Sequence, residues 1–411
     1  MPVISHHKRL WVVMLLAALV VALLASLSAA TPTVDAKKKK HKEFECIEYA
    51  ETEGNHEFDD YYQPWEVDRA VWKLELERGV DVDMIGLSNR GRPIHAVRMG
   101  KGRRVVFVQA GIHANELTGT TAVLDLLKEL TRDSKETRRL LNDLTLVVIP
   151  MLNPDGAHWY QRENDQSWAE TEAFFPQLVG GPPAFHHSLP GPRFWSHPRV
   201  AGYDLNRDFN PNFGYVPQRE HLPGSGSVRG MNLTLESRTS QRLYSSLERE
   251  FGTVDVFVDL HNQAPCNTFD HDGDEATPDR YTPMSISAQF LRNPAAHGAG
   301  TTYPKFDYDA SRQATVAAWL GTQRAGRPTS DVTRYPQNLD LAGSANSSYQ
   351  LRGSASVLME AGRQRHANPE WNLEFIARVH RLAVRGILDA VANRSIDRIN
   401  PERYEQIPVR N

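Results

Sequence analysis

His113 and Glu116 stand three residues apart in the stretch GIHANELTG, residues 111 to 119, directly after the β-branched run Arg104 to Ala110. Where a strand gives way to a helix, that spacing can turn both side chains toward one point beyond the carboxyl edge of a sheet, the edge where open α/β sheets place their sites. The pair alone says little, because His-x-x-Glu arises often by chance on helices. A second histidine, His261, follows directly on the strand-like run Val254 to Leu260 and so falls at the same edge. Two imidazoles and one carboxylate make a three-ligand zinc site that keeps a fourth position for water. The bland alternative for His261 is a hydrogen-bonded loop histidine. Asp259, just before it, is expected on the other face, as a partner of the site or a structural acid.

The elements that must hold these groups follow from pattern. Arg104 to Ala110 (RVVFVQA), Leu144 to Met151 (LTLVVIPM), Val254 to Leu260 (VDVFVDL) and Ser356 to Met359 (SVLM) read as buried strands. Between the first two, Thr118 to Thr131 carries Val123, Leu126, Leu127 and Leu130 at helical spacing, which gives a strand, helix, strand unit. Further helices are expected from Leu235 to Phe251 and from Trp371 to Ala392, the second with Phe375, Val379, Leu382 and Ile387 on roughly one face. Gly and Pro crowd residues 175 to 230, so long loops are expected there. The candidate strands are spread evenly with no linker between them. That predicts one α/β domain over residues 63–394, a mixed, mostly parallel central sheet flanked by helices, followed by a C-terminal tail at 395–411.

With 411 residues and 40% hydrophobic content the chain can bury a large core. Its 47 basic and 50 acidic residues nearly balance, which gives no reason to expect nucleic acid as a partner. Lys8 and Arg9 precede an apolar run from Leu10 to Ala25 and then the small residues Ser26, Ser28, Ala29 and Ala30. That order reads as an export signal over residues 1–30, with an uncleaved membrane anchor as the alternative. The expected location is therefore periplasmic or secreted, with any membrane contact made through that segment alone. Residues 31–62, with the basic run Lys37 to Lys42, read as a flexible arm or solvated spacer. The only cysteines are Cys46 and Cys266, and an oxidising compartment would permit a disulfide between them.

The HxxE motif, the later Asn206–Arg207 pair in DLNRDF (204–209), the lone His261 and Glu360 in SVLMEAG (356–362) occur in the order found in the zinc carboxypeptidase family, which the chain resembles from about Arg104 to Gly362. The resemblance implies one Zn²⁺ per chain on His113, Glu116 and His261. It implies that Asn206 and Arg207 bind the terminal carboxylate of a peptide substrate, in keeping with bidentate guanidinium–carboxylate pairing. It makes Glu360 the general base. Arg162 falls where relatives place the arginine that polarises the scissile carbonyl. An insert of about forty residues separates it from Asp204, and Arg193 and Arg199 are rivals. Tyr349 falls near the family's mobile covering tyrosine, with Tyr335 or simple core packing as alternatives. Arg352 could pair with a substrate or a structural acid.

The activity implied is a monomeric metallocarboxypeptidase acting on peptides with a free C-terminal carboxylate. A zinc amidase or deacylase acting on cell-wall peptides or N-acyl amino acids would use the same site, and a non-catalytic peptide-binding module would keep the fold alone. Two further clusters are set aside. Asp270, Asp272, Asp274 and Glu275 lack the closing glutamate of a calcium loop and read as a solvated acidic loop. His186 and His187, in the insert, are expected at the mouth of the cleft and not on a second metal.

Overall fold

The computed structural model describes residues 60–194, 197–264, 266–336, 340–362 and 372–411. The expected signal segment 1–30, the arm up to residue 59 with Lys37 to Lys42, and Cys46 lie outside the described residues. Among those described, no helix is long and apolar enough to cross a membrane.

The runs picked out by pattern become the centre of one sheet. In chain order the main elements are α1 (Pro64–Glu75), β1 (Val80–Leu87), β2 (Pro93–Gly100), β3 (Arg104–Ala110), α2 (Thr118–Leu130), α3 (Lys135–Asp143), β4 (Leu144–Ile149), α4 (Leu235–Phe251), β5 (Val256–Gln263), β6 (Met284–Ser287), α5 (Tyr308–Gln323), β7 (Thr333–Arg334), α6 (Ala345–Leu351), β8 (Ala355–Gly362) and α7 (Leu373–Ala392). Eight strands lie in the order β1-β2-β4-β3-β5-β8-β6-β7. The central four, β4, β3, β5 and β8, are mutually parallel, so their carboxyl ends open on one edge. The expected α/β fold with a mixed, mostly parallel sheet is the one observed.

Both faces of this sheet are covered, which is why its strands read as continuous apolar runs. Alternate residues divide cleanly: Val106, Val108, Leu146 and Val148 enter the core shared with α1, α2, α5 and α7. Val105, Phe107, Val147 and Phe257 face the second core, with Tyr244 of α4 and Tyr349 of α6. The hairpin β1–β2 and helix α5 were not foreseen. Helix α7 begins at Leu373, and its buried stripe is Ile376, Val379, Ala383, Val384 and Ile387, with Phe375 and Leu382 only half-buried.

Residues 395–411 are not a free tail. Apolar Tyr404 and Ile407 are buried, the Tyr404 hydroxyl accepts from Ala288 N at 3.2 Å, and Val409 bridges to Arg334 of β7. This segment is part of the domain.

Helices α5 and α7 approach so closely that glycine is required at the crossing. A Cβ on Gly321 would stand 2.4 Å from the Leu382 carbonyl oxygen and 2.9 Å from Gly386 Cα. Alanine normally gains ~1 kcal/mol over glycine inside a helix, but backbone atoms cannot yield, and overpacking of this kind costs ~1–3 kcal/mol. The clash wins: Gly321→Ala is expected to lower the urea midpoint at an unchanged m-value, whereas a midpoint at or above wild type would show that the helices can part.

Candidate active site

Gly111 ends β3 with φ +65°, a conformation open to glycine at little cost, and a Cβ there would lie 3.3 Å from Met151 Cα. The turn it makes carries His113 and Glu116 to the carboxyl edge ahead of α2, tightened by Glu116 N donating to His113 O at 3.1 Å. His261 arrives on β5. The three side chains are buried and meet: His113 Nδ1 and His261 Nδ1 are 3.0 Å apart, and Glu116 Oε2 lies 3.2 and 3.0 Å from them.

The outer ring atoms decide what those inner atoms can be. His113 Nε2 lies 3.0 Å from Asp204 Oδ1, and His261 Nε2 lies 3.0 Å from Asp259 Oδ2. Each carboxylate accepts a hydrogen bond from Nε2–H, which leaves the lone pair on Nδ1. Two such nitrogens and a carboxylate oxygen in one triangle are mutually repulsive unless a cation sits among them. Ligands on tetrahedral zinc at ~2.0–2.1 Å stand roughly 3.3 Å apart, so the triangle and its nitrogen and oxygen donors fit zinc. No other such group of three is found among the described residues.

A cavity of about 350 Å³ opens onto this triangle, lined also by Arg162, Asn206, Arg207 and Glu360. Glu360 lies on β8 in register with His261 on β5, so both point the same way from neighbouring parallel strands. Burial pushes its carboxyl up to about 7, with His261 pulling against the shift and Glu116 adding to it. Arg162 donates from Nη1 to Glu116 Oε1 at 2.9 Å and from Nε to Asp204 Oδ2 at 3.1 Å. Burial opposes its charge, but those two carboxylates outweigh burial and hold it protonated. Burial likewise works against ionised Asp204 and Glu116, yet His113 and Arg162 keep both well below the usual carboxylate range.

Asn206 and Arg207 sit in the 3-10 turn Leu205–Arg207, capped by Asp204 Oδ1, which accepts from Asn206 N at 3.0 Å. Asn206 Oδ1 accepts from Ala345 N at 2.9 Å, tying the turn to α6. The turn is anchored from behind by Asp208, fully buried, whose carboxylate accepts from Leu233 N, Thr234 N and Ser237 Oγ at 2.8, 2.9 and 2.6 Å. Arg207 spends Nη1 on Asn206 O at 2.7 Å and makes no salt bridge among the described residues, though its charge reaches Asp204.

Of the residues named from sequence, His113, Glu116, His261, Arg162, Asn206, Arg207 and Glu360 come together here. Tyr349 does not. It is fully buried in the second core, stacked on Tyr244 at 4.2 Å, with its hydroxyl 2.8 Å from Ser240 Oγ, so it cannot cover a substrate. Simple core packing is its role, and Tyr335 lines the cavity in its stead. Arg199 pairs with Glu163, and the Arg193 side chain lies outside what is described. Arg352 pairs with Glu248, a structural acid. His186 and His187 are not at a cleft mouth: the first is buried against Asp208 and the second packs on Tyr203. Asp270, Asp272 and Asp274 spend carboxylate oxygens on their own loop backbone. Asp259 shares the face of His261, since residues two apart on a strand point the same way. The part played by Asp204 and the arrival of Arg410 in the cavity were not anticipated. The first was visible only as a neighbour of Asn206, and nothing local marks the second.

A family model for zinc carboxypeptidase matches residues 75–349. The chain belongs to the zinc carboxypeptidase family. Carboxypeptidase A2 of Rattus norvegicus is 24% identical over 257 residues, 61% of this chain and 56% of that protein. A protein named inactive metallocarboxypeptidase ecm14, of Talaromyces marneffei, is 26% identical over 223 residues, 50% of this chain and 34% of that one. The chain thus spans about half or less of the length of these curated relatives. Bovine thrombin-activatable fibrinolysis inhibitor, solved in complex with tick carboxypeptidase inhibitor, shares the fold with a TM-score of 0.52 at 15% identity, covering 82% of this chain and 99% of that one. Glu360 lies beyond the segment that the family model matches.

Two substitutions probe this site. Asp259→Asn replaces a carboxylate, which can only accept, with an amide that can also donate, so the His261 tautomer is no longer fixed; zinc binding is expected to weaken about 10- to 100-fold, read by competition with a chromogenic chelator. Tyr349→Phe is expected to cost about 1 kcal/mol of unfolding free energy and to leave KM for peptides unchanged; a raised KM would return Tyr349 to the cleft.

Proposed function

We propose that the protein is a zinc metallocarboxypeptidase that hydrolyses the C-terminal peptide bond of peptides. The observation that carries this reading is the triangle of His113 Nδ1, Glu116 Oε2 and His261 Nδ1 facing the same cavity as Glu360 and Arg207. Zinc held there supplies Lewis acidity and lowers the pKa of a coordinated water toward neutrality.

The chain's own residues do the rest. Glu360, whose carboxyl burial pushes up from its ordinary value, takes a proton from the attacking water and passes it to the leaving nitrogen. Arg162, kept charged by Asp204 and Glu116, donates to the scissile carbonyl oxygen as negative charge grows there. Asn206 and Arg207 hold the terminal carboxylate, and anchoring the chain end restricts cleavage to the last bond. The name of the inactive fungal relative raises a binding-only reading; retention here of the metal trio and Glu360 together favours catalysis. We also propose export, on the strength of the charged and then apolar order of residues 1–30.

Glu360→Gln keeps the shape of the side chain and removes its basicity. It is expected to lower kcat about 10²- to 10⁴-fold while zinc content, measured by atomic absorption, stays at one per chain. Near-full activity in this variant would refute the assignment of the base. Wild-type protein purified without chelator and holding well under one zinc would instead favour the binding-only reading.

A further inference from the structure

The last residues of the chain enter the wall of the cavity. Arg334 N donates to Pro408 O at 2.6 Å and Arg410 N to Arg334 O at 3.0 Å, while Asn411 N donates to Thr268 O at 2.9 Å. These bonds lay residues 408–410 along β7, pin Asn411 to Thr268 and leave Arg410 little freedom. Its guanidinium lies over the Tyr335 ring, 4.3 Å from the ring centre, and Nη1 donates to Gln263 Oε1 at 2.8 Å. Gln263 stands two residues beyond His261 on the same face of β5, so Arg410 borders the place where the bond would be cut.

The charges in this cavity are unequally matched. Arg162 has two carboxylates, Glu116 and Asp204. Arg207 feels the charge of Asp204 without pairing to it, and neither Arg207 nor Arg410 makes a salt bridge among the described residues. Arg410 Nε and Gln263 Nε2 are, in addition, buried donors with no acceptor among those residues. A substrate's terminal carboxylate satisfies Arg207 only. A second guanidinium, fixed in place by backbone bonds and by an aromatic ring, is preorganised for a second anion.

We propose that the peptides this site takes best carry a further carboxylate, an aspartate or glutamate side chain on the last or next-to-last residue, bound by Arg410. The inference rests on the carboxypeptidase reading in taking Asn206 and Arg207 as the anchor of the chain end. Arg410 determines specificity and takes no part in bond breaking.

Matched peptides differing only as Glu against Gln at either of those two positions test it with the full-length, zinc-loaded protein. Binding is read by calorimetry on the Glu360→Gln variant, and turnover on wild type. A charge-assisted hydrogen bond predicts that glutamate binds on the order of tenfold or more tighter than glutamine at one of the positions. That ratio should fall toward one in Arg410→Met, persist in part in Arg410→Lys, and shrink with added salt. The lysine variant keeps the test valid should methionine unsettle the C-terminal segment. Equal affinities at both positions, or a ratio that Arg410→Met leaves untouched, would overturn the inference. Absence of turnover on every peptide, with the glutamate preference in binding preserved, would sink the carboxypeptidase reading and leave this inference standing.

Discussion

Three lone pairs converging within about 3 Å of one another, on His113, Glu116 and His261, are the constraint around which this structure is arranged. Such a cluster is tolerable only with positive charge at its centre, and everything nearby serves to keep it intact. Asp204 and Asp259 hold the outer nitrogens of the two rings. Arg162 balances the second oxygen of Glu116, and Asn262 N donates to the first at 3.1 Å. These outer groups come from chain segments far apart in sequence, so the centre can form only when β3, β5 and the loop before α4 are all in place. A metal bound at this centre would couple its binding to folding.

The sheet meets this requirement by being parallel where it matters. Parallel register puts the carboxyl ends of β3, β5 and β8 on one edge and sets Glu360 beside His261. Burial on both faces fixes that register, because a slip of one residue would exchange the two cores and turn Glu360 away from the cavity. The same burial lifts the Glu360 carboxyl, so one feature both places the side chain and tunes it.

Much of this was legible in the sequence, for identifiable reasons. Long apolar runs, a local signal, marked the central strands, and the ordered motifs shared with the zinc carboxypeptidase family pointed to His113, Glu116 and His261. Signals that depend on long-range contact were not legible. Tyr349 has the residue type of a covering tyrosine, yet its helix turns it into the core against Tyr244. The face of Asp259 was misjudged although strand alternation alone settles it. Arg410 lies in a segment that reads as a tail, and only its pairing with β7 brings it to the cavity. The hairpin β1–β2 alternates too weakly to stand out, with several half-exposed positions on both of its sides.

The buried carboxylate of Asp208 ties the turn bearing Asn206 and Arg207 to the start of α4 without using any atom of residues 188–203. Through those bonds any shift of α4 is passed to the turn, and so to the pair that faces the cavity.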